Sequence, residues 1–260
     1  MSAYFCSAMD DSLRATLQQR WHEVCARVRS AAVRAGRSPE EVRIVAVSKA
    51  QPLDLLEAAL QVGIRCFGEN YAQELRAKAQ ALAQRGWSDI EWHFIGHVQT
   101  NKVKLLAPLA ALIHGVDSAH VADALQRWAQ QHGKRLDILL QVNTSGEPSK
   151  HGCAPEALFA LAEHVLRACP SLRLLGLMTI HAPNPPERVR EEFRLLAQLR
   201  QELRQRYGAT AADFPHLSMG MSADFEVAVE EGATLLRIGT AIFGERPRKA
   251  TPVPPSGLQP

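Results

Sequence analysis

The sequence predicts a single (β/α)8 barrel of the TIM type, with an extra helix in front of it. Three observations carry the prediction. Short β-rich apolar runs alternate with longer amphipathic segments, and parallel strands need helical crossovers of that kind. Eight such runs lie between Val42 and Phe243, which suits a closed barrel better than an open doubly wound sheet. The rival, a dinucleotide-binding fold, needs a G-x-G-x-x-G after an early strand, and the chain contains none.

The extra helix comes first. From about Asp11 to Gly36, the residues Leu13, Leu17, Trp21, Val24, Cys25, Val28, Ala31 and Ala32 recur at helical spacing, and Gly36 punctuates the end. The strand candidates follow as Val42–Val47, Ile64–Gly68, Glu91–Ile95, Ala111–Val116, Leu136–Val142, Leu172–Met178, His216–Met219 and Leu235–Phe243. Amphipathic segments such as Leu53–Val62 and Glu187–Tyr207 stand between them. Residues 1–10 read as a disordered N-terminus, and the proline-rich 246–260 as a flexible tail without apolar periodicity. The barrel domain therefore spans 11–245, with no linker dividing it.

Bulk properties narrow the function. Of 260 residues, 46% are apolar and 22% charged, enough for a large core and too few charges for bulk disorder. Thirty basic against 27 acidic residues give a formal charge of +3, too balanced for a nucleic-acid groove but compatible with a small anionic ligand. The five cysteines, Cys6, Cys25, Cys66, Cys153 and Cys169, are scattered without a C-x-x-C pair. That fits reduced thiols in the cytoplasm rather than a disulfide framework or a zinc site. No basic n-region or long apolar run marks a signal peptide or a membrane span, so a cytoplasmic protein is expected.

In a barrel of this type, chemistry sits at the C-terminal ends of the strands. Lys49 directly follows the first strand in VRIVAVSKAQP; partial desolvation there would lower its pKa and free a nucleophilic amine, although a surface loop lysine has the same sequence signature. Asn70, in GEN, either bonds a ligand or caps the next helix. His93 reads as a core histidine, while Gln99, Asn101 and Lys102 can face the mouth, as can Asn143 after the fifth strand. Met178 can lie against a flat ring or simply fill core.

The last two units give the strongest local signal. HLSMGMSADFEVAVEEG places Ser218, Gly220 and Ser222 at a strand-to-helix turn, with Ser222 as N-cap of the helix after it. Helix starts offer unpaired N–H groups to phosphate. LLRIGTAIFGE adds Arg237, Gly239 and Thr240, where the alternative for Arg237 is a buried ion pair with a glutamate. A reactive lysine and a separate phosphate site in one mouth suit a phosphorylated aldehyde, and pyridoxal phosphate is one.

VSKAQP, CFGENYAQE, WHFIGHVQTNK, GLMTI and LSMGMSADFEVAVEEGATLLRIGTAIFGER, in this order, resemble the pyridoxal phosphate homeostasis protein family from about Val42 to Arg246. The family is similar to the barrel domain of alanine racemases and ornithine decarboxylases without their second β-domain. The resemblance implies a cofactor, pyridoxal 5'-phosphate, held as a Schiff base on Lys49. Ser222, Gly239 and Thr240 would take its phosphate with Ser218 and Met221 nearby, Arg237 would meet the pyridine nitrogen, and Asn70 would lie near the ring. It implies no catalytic residue and no metal. Its partners would be the cofactor and the apo-enzymes that receive it, and the chain a monomer or weak homodimer that touches neither nucleic acid nor membrane. One departure stands out: His97-Val98-Gln99 replaces the frequent P-L-Q.

A racemase-like or decarboxylase-like enzyme and a Schiff-base aldolase remain the alternatives. Racemisation needs acid–base groups on both ring faces. Lys49 serves one. Of Tyr4, Tyr71 and Tyr207, only Tyr71 falls near a predicted mouth, where it starts a helix.

Overall fold

The short apolar runs become the strands, with β-branched and aromatic residues in the first four and mainly leucine in the last four. The computed structural model describes residues 2–209 and 213–245. Eight parallel strands close a barrel in chain order: β1 (Arg43–Val47), β2 (Cys66–Glu69), β3 (Glu91–Phe94), β4 (Ala110–Val116), β5 (Leu136–Gln141), β6 (Leu172–Met178), β7 (His216–Ser218) and β8 (Leu235–Ile238). The seam closes where β1 pairs with β8, matching Val45 to Arg237 and Ala46 to Ile238.

Helix α1 (Ser2–Arg34) precedes the barrel. The sequence sets its start near Asp11 and expects 1–10 to be disordered; the helix instead takes in residues 2–10, which contain no glycine or proline to stop it. Leu17, Val24, Val28, Ala31 and Ala32 are buried, as their spacing predicts. Each buried Leu or Val on that stripe contributes about 1.5–3 kcal/mol of apolar burial. The crossovers are α2 (Leu53–Gln61), α3 (Ala72–Gln84), the single turn α4 (Val103–Leu106), α5 (Ala119–Gln131), α6 (Leu158–Ala168), α7 (Pro186–Tyr207) and α8 (Phe225–Glu230), with α9 (Thr240–Phe243) closing the series. Helix α1 lies against α2, α8 and α9, and so bridges the first and last units.

The main core fills the space between helices and barrel, while smaller apolar clusters fill its lumen: Val45, Val47, Cys66 and Ile95 in one, Leu112, Leu139, Met178 and Leu235 in the other. The eighth strand is shorter than the sequence suggests. It stops at Ile238 because Gly239 leaves the extended region (φ −115°, ψ −75°) and Thr240–Phe243 coils into α9. The tail 246–260 lies outside the described residues. No helix among the described residues is long and apolar enough to cross a membrane.

Candidate functional site

Lys49 stands half-buried where β1 leaves the barrel, in a turn held from three sides. Ser48 donates its N–H to the Gly68 carbonyl at 3.0 Å. Ala50 adopts a left-handed φ of 59°, a conformation that costs a residue with a side chain, and its N–H is fixed by Glu74 Oε1 at 2.6 Å. Beneath the turn, Ser48 Oγ and Lys78 Nζ both donate to Glu69 Oε1, at 2.6 and 2.8 Å, and Lys78 also reaches the Ser48 carbonyl at 2.6 Å and Glu74 at 2.7 Å. Glu69 is fully buried, and burial pushes its carboxyl above the usual range against the pull of the Lys78 ammonium.

Arg237 enters the lumen from β8 and is only 4% exposed. Its guanidinium donates to Ser218 Oγ at 2.6 Å and to the Thr179 carbonyl at 2.7 Å. The glutamate pair considered from sequence is not what holds it; neutral oxygens do. Burial pushes the guanidinium down to about 10, which leaves it cationic at neutral pH. Ser218, on β7, is completely buried and also bonds His114 Nδ1 at 2.9 Å.

Ser222 behaves differently from its expected role. It does not cap α8, which is preceded by Asp224. Its Oγ instead crosses to accept the N–H groups of Gly239 and Ala241, at 3.3 and 3.2 Å, at the start of α9. The short turn before Phe225 points the hydroxyl away from α8 and toward the neighbouring unit. The β1–β8 register carries Gly239 level with Val47, two residues before Lys49. A Cβ on Gly239 would sit 3.3 Å from the Val47 carbonyl oxygen, so a larger residue would crowd the rim there. Thr240 is exposed beside it. Met221 is half-buried, its N–H held by Asp224 Oδ1 at 2.9 Å.

A cavity of about 370 Å³ opens beyond the ends of β2 and β3, lined by Asn70, Tyr71, His97, Gln99, Lys102, Gln141 and His151 among others. Asn70 is positioned by close backbone approach: a Cβ on Gly96 would fall 2.1 Å from the Asn70 carbonyl. Gln99 and Lys102 face this cavity as the sequence predicts, whereas Asn101 lies on an outer groove with Lys104 and Trp128. Asn143 bonds within its own loop, to Glu147, Ser145 and Gly146. Met178 packs wholly buried among lumen residues and does not line the cavity.

Lys49, Ser222, Gly239 and Thr240 thus share one rim, Arg237 and Ser218 lie in the lumen beside them, and Asn70 directly follows the adjacent strand β2, level with Lys49. Sequence reasoning missed Lys78, Glu69 and His114. The signal for His114 was present in ALIHGV, where period-two alternation puts it on the inward face with Leu112. A phosphorylated aldehyde fits the set on two observations. The Gly239 backbone leaves room against Val47 that a Cβ would narrow, with N–H groups of the α9 start alongside. The guanidinium is a permanent donor inside the barrel, near the strand end that bears the amine.

The residues 19–247 match the family model for the alanine racemase N-terminal domain. A pyridoxal phosphate homeostasis protein from Aquifex aeolicus is 44% identical over 88% of this chain and 97% of its own length. The Homo sapiens protein of that name is 45% identical over 82% of this chain and 79% of its own. Among solved structures, PipY of Synechococcus elongatus with pyridoxal phosphate bound superposes with a TM-score of 0.75 at 31% identity, covering 88% of this chain and all of that one.

Proposed function

The chain belongs to the pyridoxal phosphate homeostasis protein family, and from that premise we propose that it binds pyridoxal phosphate and holds it for release to apo-enzymes in the cytoplasm, without transforming amino acids efficiently itself. The observation that carries the reading is the meeting of amine, anion cradle and guanidinium across the β1–β8 seam, where Val45 pairs with Arg237. When bound, the cofactor supplies an aldehyde that condenses with an amine. Lys49 is that amine. Ser222, Gly239 and Thr240 hold the phosphate, with Ser218 and Met221 behind them. Arg237 meets the pyridine nitrogen, Asn70 flanks the ring, and Met178 packs below it. The scattered free thiols Cys25, Cys66, Cys153 and Cys169 are in keeping with a reducing compartment.

The carrier role follows from what Arg237 can do. A guanidinium only donates hydrogen bonds and stays charged, so the nitrogen facing it stays unprotonated and the ring is a weak electron sink. Tyr71, the tyrosine nearest the mouth, is 62% exposed at the start of α3 and is not fixed as a second base. Proton exchange at the amino-acid α-carbon is the most sensitive test, since it needs one base only. Incubation with alanine, serine and ornithine in deuterated water gives exchange and racemisation near the level of free pyridoxal phosphate. Rapid turnover of any of the three, lost in Lys49→Ala, would promote the racemase-like alternative.

The phosphate cradle makes a separate expectation. Replacing Thr240 with leucine crowds the α9 start without touching the amine. Retention of pyridoxal phosphate falls by about tenfold, the scale of one charge-assisted hydrogen bond, while condensation with unphosphorylated pyridoxal is unchanged. Dialysis of both complexes followed by absorbance measures the difference, and equal losses would remove Thr240 from the cradle.

A further inference from the structure

The lumen of this barrel is not apolar throughout. A row of polar side chains crosses it from the N-terminal face to the mouth. Glu91 Oε1 bonds His93 Nε2 at 2.9 Å, His93 Nδ1 bonds His114 Nε2 at 2.9 Å, His114 Nδ1 bonds Ser218 Oγ at 2.9 Å, and Ser218 Oγ accepts from Arg237 at 2.6 Å. His93, His114 and Ser218 are at most 1% exposed. Only Glu91 reaches solvent, where Arg43 pairs with its second oxygen at 2.7 Å.

The ends of this row fix its direction. Arginine can only donate, so Ser218 Oγ is an acceptor toward Arg237, and His114 Nδ1 is the acceptor that the row offers its own proton. An ionised carboxylate can only accept, so His93 Nε2 carries a proton at the far end. The His93 hydrogen bond and Arg43 hold Glu91 down to about 2, well inside its ionised range, and burial keeps His114 neutral. With Nε2 protonated on both imidazoles, every donor meets one acceptor and none is left over.

We propose that Glu91, His93 and His114 form a one-way hydrogen-bond relay that commits the Ser218 proton inward and thereby positions Arg237 at the bound ring. The inference rests on the cofactor reading of the site for its last link only. Reversing His114 would give Ser218 two donors and leave its hydroxyl proton without an acceptor in the row, and reversing His93 alone would set two N–H groups face to face between the imidazoles. The three residues act through Arg237 and do not touch the ligand.

The test reads tautomers and release separately. In full-length protein carrying 15N-labelled histidine, with and without pyridoxal phosphate, two-bond correlation spectra should show Nε2–H at His93 and His114. Glu91→Leu removes the terminal acceptor: His114 becomes a tautomer mixture, and cofactor transfer to a scavenging apo-enzyme quickens about tenfold. Glu91→Gln, whose amide oxygen still accepts, restores both. His114→Phe cuts the row at its centre and quickens transfer likewise, which keeps the test decisive if the leucine variant misfolds. An Nδ1–H tautomer at His114 in the unmodified protein overturns the relay. Unchanged transfer in folded Glu91→Leu and His114→Phe overturns the positioning role. Failure to bind pyridoxal phosphate at all would sink the cofactor reading instead, and the spectra of the ligand-free protein would still decide the tautomers.

Discussion

Lys49→Ala abolishes covalent capture of pyridoxal phosphate and leaves the barrel folded. The side chain is half-buried at the rim, so its truncation costs about 1 kcal/mol or less of stability. No other lysine among the described residues follows a barrel strand directly at the β1–β8 seam. Lys102 lines the cavity beyond β2 and β3, and Lys78 lies beneath the turn with Glu69 and Glu74. Borohydride reduction of the loaded protein followed by peptide mapping therefore places the pyridoxyl group on Lys49. The alanine variant loses the yellow colour and the reducible label together, keeping at most a weak phosphate-dependent association. A label found mainly on Lys102 or Lys150 would overturn the assignment.

The second large effect is on stability. Lys78→Met strips the ammonium from Glu69, whose Oε2 already lacks a hydrogen-bond partner, and leaves a carboxylate in the barrel wall. Breaking a buried pair from one side costs about 3–5 kcal/mol. Urea unfolding should show the midpoint falling at constant slope, and adding Glu69→Gln in the same chain should recover most of the loss. The pH dependence has a definite sign. Glu69 is an acid whose folded pKa lies above its ordinary value of 4.5, so the folded state binds the proton more tightly than the unfolded. Stability from the neutral carboxyl is full at low pH and is lost as pH rises through the folded pKa. Without Lys78 that pKa climbs further, so the variant's deficit is larger at pH 8 than at pH 5. Because the same cluster pins the Ser48 carbonyl, capture by Lys49 should slow as well. Equal stability of variant and parent at pH 8 would show the pair to be dispensable.

Periodicity made the fold legible. Alternation of period two and of about 3.6 residues is written locally, and eight repeats admit few arrangements. Strand-end residues such as Lys49 and Asn70 were legible for the same reason, since the mouth is defined by where apolar runs stop. What depended on closure was not. Lys78 lies in α3 with nothing in AQELRAKAQ to show that it folds back under Ser48. Ser222 looks like a cap for its own helix, and only the closing of the barrel, which sets the turn after β7 beside the start of α9, sends its hydroxyl to Gly239 and Ala241 instead. Arg237 looked fit for a glutamate because a lone buried charge is costly. The lumen answers with Ser218 and Thr179, which no local pattern links to it.

The seam between β1 and β8 sets when this protein can begin to work. Val45 and Arg237 are neighbours in space but lie about three quarters of the chain apart in sequence, the costly kind of contact to form. The amine proposed to take the cofactor follows the first strand made on the ribosome, and the proposed phosphate partners follow the last two. On the proposed reading, a nascent chain displays Lys49 long before it has any cradle, and translation runs past Thr240 before retention begins. A product cut short ahead of that point would carry a lysine that meets aldehydes as any other amine does, with nothing to keep them.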